Sequence, residues 1–206
     1  MSIKDILSLR AVKYALVIVS TLIIGIFLGR FITNYETRYL LSREFCGTYR
    51  GIDVYKCGDI NTENTVGYVK MLEMAPDAIT EACTAMYFTG SSLALPVVGA
   101  DNGSALGLTQ DSVIFIATES FNVDVVYHEL FHAYDNMNGK ISDSYEFTRI
   151  ADKERDSVVV SLVNEEAFYA EFFASAGAAY LLEPENLELS APLTYEFIDS
   201  LVGENE

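Results

Sequence analysis

The feature that most constrains this chain is His128-Glu129-Leu130-Phe131-His132, set within the segment NVDVVYHELFHAYDN. Val125, Val126, Leu130 and Phe131 recur at helical spacing, and on a helix residues i and i+4 lie one turn apart on the same side. The two imidazoles can therefore grip a single metal ion. At about 3.6 residues per turn, Glu129 lies roughly 100° round the helix from His128 and 60° from His132, so its carboxylate flanks the metal without binding it. That is the arrangement of a general base beside a metal-activated water. The chain has only two histidines, and chance would place them four apart, with a Glu after the first, about once in a thousand. Two core histidines satisfied by hydrogen bonds are the alternative, but they would not need the Glu between them.

Two imidazoles do not complete a catalytic zinc site, which takes three protein ligands and leaves a place for water. With no third histidine, the HExxHxxGxxH pattern is excluded: Asp135 and Asn138 stand in its Gly and final His places. The third ligand must be a carboxylate or a thiolate. A long helix expected from Asn164 to Pro184 offers Glu165, Glu166 and Glu171. Ala167, Glu171, Ala174 and Ala178 share one stripe, so Glu171 projects from a surface of small side chains that lets a neighbouring helix approach closely. Glu165 and Glu166 point about 120–140° away, near the helix start, where acids suit the dipole and need no metal. Glu171 is the better placed of the three; the alternative is a half-buried Glu held by an Arg or Tyr.

Half of the residues are apolar, a high share for an acidic soluble chain, and the excess is concentrated at residues 14–28, YALVIVSTLIIGIFL. Extended to residue 32, this run reaches membrane-spanning length. Lys4, Arg10 and Lys13 precede it, which places residues 1–13 in the cytoplasm and the bulk of the chain outside. An uncleaved signal anchor over 14–32 is expected, with a connector at 33–44 and an extracytoplasmic domain at 45–206. Secretion after signal cleavage is the alternative. The whole chain has a net charge of −17, and the first thirty residues hold four bases against Asp5, so the remainder is more negative still. Nucleic acid and anionic lipid surfaces are thereby excluded as partners of the domain. Cys46 and Cys57 bracket ten residues in the expected exterior and could form a local disulfide, while Cys83 reads as a small core residue on a helix face with Ile79 and Met86.

CGTYRG, IDVYKC and TVGYVKML read as short strands, Pro76 to Gly90 as a helix, and residues 112–117 as a further strand. In zinc peptidases generally, a strand just ahead of the metal-binding helix forms the edge on which an extended substrate pairs its backbone. Val113, Ile114, Phe115, Ile116 and Ala117 are accordingly the candidate substrate edge, with an ordinary core strand as the alternative. The active-site helix is expected to stop at Gly139, followed by a helix over 143–155, the long helix after Asn164, and a last helix opened by Pro192. Short strands followed by helices indicate an α+β fold.

HELFHAYDN, SDSYEFTRIADKE, AEFFASAGAAYLLEPENL and SAPLTYEFIDSL, in that order over residues 110–202, resemble the catalytic domain of the anthrax lethal factor-like zinc metallopeptidases, which include the Pro-Pro endopeptidases. The resemblance implies a zincin-like α+β domain with a small mixed sheet. It implies Zn²⁺ held by His128, His132 and Glu171, with Glu129 as catalytic base and Asp135 as a residue supporting the ligands from behind. The family's upstream Tyr, its Glu four residues after the ligand and its Gly before the second His are replaced here by Asn164, Ser175 and Phe131. The expected function is a membrane-anchored zinc endopeptidase acting on a protein or peptide substrate. The rival readings are an inactive zincin-fold scaffold at the membrane and a zinc amidase acting on cell-wall peptides.

Overall fold

The computed structural model describes residues 42–91, 106–160 and 165–203. The anchor expected at 14–32 lies outside these residues, and no helix among those described is long and apolar enough to cross a membrane. The described chain begins with a hairpin, β1 (Arg43–Tyr49) and β2 (Ile52–Cys57), so the last residues of the expected connector belong to the sheet. Arg50 and Gly51 both adopt positive φ in the turn, which turns the chain tightly enough to pair the two strands. Next come helix α1 (Thr62–Met74), the short helix α2 (Asp77–Thr80) and strand β3 (Ala85–Thr89). Strands β4 (Gly107–Gln110) and β5 (Val113–Ala117) form a second hairpin, and helix α3 (Val123–Met137) follows. Helices α4 (Tyr145–Lys153), α5 (Phe168–Leu182), α6 (Pro184–Ser190) and α7 (Pro192–Val202) complete the fold.

Three expectations from the sequence are not met. TVGYVKML is not a strand: Asn61 accepts a hydrogen bond from Asn64 N at the start of α1, and the buried positions Tyr68, Met71 and Leu72 follow helical spacing. The Pro76–Gly90 stretch is helical for only four residues before β3 begins, so Cys83 is buried in the connection rather than on a helix face. Nor do Cys46 and Cys57 bridge. Cys57 stands opposite Arg43 in the ladder, and Cys46 lies three residues further along, about 10 Å at strand spacing and beyond disulfide reach.

The five strands lie in the order β1-β2-β3-β5-β4; β2, β3 and β5 run parallel, and the outer two run antiparallel to their neighbours. One face carries Ile52, Val54, Met86, Phe88, Ile114 and Ile116, all essentially inaccessible, into a core shared with α1, α3 and α5. On the other, Phe45, Tyr55, Tyr87 and Phe115 stand directly opposite one another across four strands. Their ring centroids are 5.4, 4.9 and 5.1 Å apart, a cross-strand aromatic ladder that fixes the register.

Asn122 caps α3 through Asp124 N, and Gly139 at φ 76° ends the helical run as expected. Ser144 caps α4, its hydroxyl accepting from Phe147 N. The start of α7 has no local side-chain cap; Glu154 reaches over and accepts from Leu193 N, Thr194 N and Thr194 Oγ1, satisfying donors that the helix itself leaves free.

A candidate metal centre between two packed helices

Helices α3 and α5 pack against each other, and their close approach follows from small residues on α5. Ala174, Ala176, Gly177 and Ala178 are all buried, and the Phe131 ring of α3 occupies the space a Cβ on Gly177 would need. Phe173 meets the same ring edge-on at 5.8 Å. The bulky side chain standing before the second histidine is thus accommodated by the absence of one on the facing helix.

That contact brings Glu171 to the two histidines. Its Oε2 lies 3.3 Å from His128 Nε2 and its Oε1 3.4 Å from His132 Nε2. The two imidazole Nε2 atoms are 3.0 Å apart. Zinc bonds of about 2.0–2.1 Å in tetrahedral geometry set their donor atoms about 3.3 Å from one another, so the three side chains converge at the separation one such ion requires. Among the described residues these are the His, Cys, Asp and Glu side chains grouped closely enough to hold a metal. Each is about a fifth exposed, which leaves the cluster open to water and ligand. Glu166 points into solvent.

The electrostatics are those of a coupled cluster. Burial alone would raise the Glu171 carboxyl, but the hydrogen bonds and charges of His128 and His132 overcome it and bring its pKa down to about 2. Burial opposes charge on His132, yet Glu171, Glu129 and Asp135 outweigh it and the imidazole pKa rises. Glu129 is 6% exposed. Its burial raises the carboxyl pKa despite the two imidazoles and the Thr109 hydroxyl, which favour the anion. A carboxyl that holds a proton more readily than usual suits a group that must both accept and release one.

The neighbours of the cluster differ in part from expectation. Asp135 is buried with its carboxylate engaged by Ser142: Ser142 N donates to Oδ1 at 2.8 Å and Ser142 Oγ to Oδ2 at 2.7 Å. It ties the turn after α3 to that helix and acts on His132 through its charge. Ser175 Oγ stands 3.5 Å from His128 Nδ1, at the limit of a hydrogen bond. Tyr169 donates to Asp152, on the far side of its helix from Glu171.

Strand β5, the expected substrate edge at Val113, Ile114, Phe115, Ile116 and Ala117, is interior, with its backbone paired to β3 on one side and β4 on the other. Among the described strands, the edge on that side of the sheet is β4. Its sequence GLTQ is too short and polar to show period-2 alternation, and the turn-rich residues before it disguise it. The two-residue link Asp111-Ser112, with Asp111 at φ 53°, is the hairpin signal that could have revealed it. Thr109 of this strand donates to Glu129 Oε2 at 2.6 Å.

Residues 96–201, half of the chain, match the family model described as anthrax toxin lethal factor, N- and C-terminal domain. The chain belongs to the anthrax toxin lethal factor family. The resemblance read from residues 110–202 is therefore borne out. The structure of the Pro-Pro endopeptidase PPEP-2 from Paenibacillus alvei is similar to that of this family member, with a TM-score of 0.57 at 22% identity over 72% of this chain and 96% of that one. The mixed α+β architecture is thus that of a solved endopeptidase. No match was found among curated proteins.

Proposed function

We propose that the chain is a zinc-dependent endopeptidase, anchored in the membrane by residues 14–32 with its catalytic domain outside the cell. The observation that carries the reading is the convergence of His128, His132 and Glu171 at zinc spacing beside a buried Glu129. Membership of the lethal factor family and the fold shared with a Pro-Pro endopeptidase support it. The anchor rests on the uncharged run at 14–28 and the basic residues before it.

His128, His132 and Glu171 would hold the metal. Zinc bound there would supply Lewis acidity, activating the attacking water and polarising the substrate carbonyl. Glu129 accepts the proton of the attacking water and delivers it to the leaving amine, so that the peptide bond breaks as a carboxylate and an amine form. The peptide backbone pairs with the outer edge of β4, in place of β5, which brings its carbonyl carbon alongside Glu129.

Digestion of a broad peptide library by the full-length chain in detergent tests this, with metal content measured in parallel. Wild type is expected to carry one zinc and to cleave. Glu129→Gln should keep the zinc and lose cleavage, and Glu171→Ala should lose both. A zinc-loaded wild type that cleaves no peptide, or equal cleavage by Glu129→Gln, would refute the peptidase reading. Cleavage confined to purified cell wall would identify an amidase instead. Tagging each end of the chain and shaving intact cells with an external protease tests the topology.

A further inference from the structure

We propose that the edge strand β4 is the positioning element of the Glu129 carboxylate: Gly107 leaves the space it occupies, and the Thr109 hydroxyl fixes its orientation. The inference rests on the reading of Glu129 as general base and names what holds it.

Side chains in a strand alternate between faces, so positions 107 and 109 point the same way and Leu108 the other. Both odd positions meet Glu129. A Cβ built on Gly107 would lie 2.5 Å from Glu129 Oε1, 2.6 Å from Cγ and 2.8 Å from Cδ; any side chain there must displace the carboxylate. Two residues on, Thr109 Oγ1 lies 2.6 Å from Glu129 Oε2 and 3.0 Å from the Glu129 carbonyl oxygen. The shorter contact is the length of a hydroxyl donating to a carboxylate, the stronger kind of hydrogen bond. Threonine is also stiff at χ1, so a donor on this side chain holds a direction that serine would hold less firmly.

The arrangement addresses a specific weakness of Glu129. Its backbone is set by α3, but its side chain has three torsions, and no other described residue hydrogen-bonds its carboxylate. A base must lie within hydrogen-bond reach of the proton it takes, and a displacement of about 1 Å can cost about a hundredfold in rate. Strand β4 removes that freedom. The same strand presents the edge on which the substrate backbone is proposed to pair, at about 4.8 Å strand spacing. One short element thus sets both the base and the backbone of the bond it acts on, so neither can shift without the other.

The test compares kcat and KM of zinc-loaded, full-length wild type with Thr109→Val, Thr109→Ser, Gly107→Ala and Glu129→Gln, using a fluorescence-quenched peptide built on the best cleaved library sequence. Thr109→Val, which keeps the shape and removes the donor, is expected to lower kcat about 10- to 100-fold with KM within about twofold and zinc content unchanged. Thr109→Ser should recover most of the loss, and Gly107→Ala should lower kcat about a hundredfold. A structural role alone would not produce a loss confined to kcat and restored by a hydroxyl. Thr109→Val or a folded Gly107→Ala at wild-type kcat, with Glu129→Gln inactive, overturns this inference and leaves the peptidase reading standing. An active Glu129→Gln overturns both.

Discussion

Replacing Gly177 by Ala sets two effects of known sign against each other. In a solvent-exposed helix the change would stabilise by about 0.5–1 kcal/mol, because glycine loses more backbone freedom on folding. Here the new methyl falls well inside contact with the Phe131 ring, whose residue is fully buried and held edge-on by Phe173. Carbon atoms pack at about 3.5–4.0 Å, so α3 and α5 must separate by about 1 Å or the ring must leave its rotamer. Overpacking of this kind costs about 1–3 kcal/mol. The net expectation is a loss of about 1–2 kcal/mol, or a melting temperature lower by about 2–8 °C for a domain of this size. The strain also has a direction. Phe131 immediately precedes His132, and Gly177 lies about 9 Å along α5 from Glu171, so separating the helices draws the Glu171 oxygens from the imidazoles they now approach at 3.3 and 3.4 Å. Zinc affinity, measured by competition with a chromophoric chelator, should fall at least about tenfold, since zinc ligands must lie within about 0.2 Å of ideal distances. Calorimetry of the metal-free and zinc-loaded forms reads the stability. A variant that melts higher than wild type and binds zinc as tightly would refute the proposal that this helix contact sets the site.

Three further outcomes follow from the same packing. Asp135→Ala strips both partners from the buried Ser142 amide and hydroxyl and should destabilise by about 2–4 kcal/mol in denaturant unfolding, since each is a hydrogen bond to a charged group; a change under about 0.5 kcal/mol would show that the turn holds without it. In the metal-free protein, Glu171, lowered to about 2 from 4.5, adds stability that is complete above pH 4.5 and lost as pH falls toward 2, while His132, raised above 6.5, adds stability that is complete below pH 6.5 and lost as pH climbs through its raised value. The melting advantage of wild type over Glu171→Gln should therefore peak between pH 4.5 and 6.5, and an advantage that keeps growing into alkaline pH would contradict the coupling. Glu154→Ala leaves Leu193 N and Thr194 N without their acceptor and should cost about 1–2 kcal/mol, with faster hydrogen exchange localised to the first turn of α7; uniform exchange rates along α7 would count against the cap.

What the sequence alone determined is local. The i, i+4 spacing of His128 and His132 holds wherever the segment is helical, because helix geometry turns spacing into direction. The alanine stripe around Glu171 is read in the same way, since small side chains on one face announce a close neighbour. The stops at Gly139 and Pro184 need only the chain's own backbone chemistry. The misread segments have weak or mixed local signals: TVGYVKML is rich in β-branched and aromatic residues as a strand would be, and the packing of Tyr68, Met71 and Leu72 into the core favours a helix. Tertiary structure decided which strand is an edge. Val113–Ala117 is apolar whether it is flanked once or twice, and pairing between strands depends on partners far away in the chain. The same holds for Gly107 and Thr109, four-residue-strand neighbours of a carboxylate some twenty positions downstream, and for Asp135, which faces the histidines on its helix but gives its oxygens to Ser142. A side chain's direction is set by its own turn of backbone; what it meets there is set by everything else that folds against it.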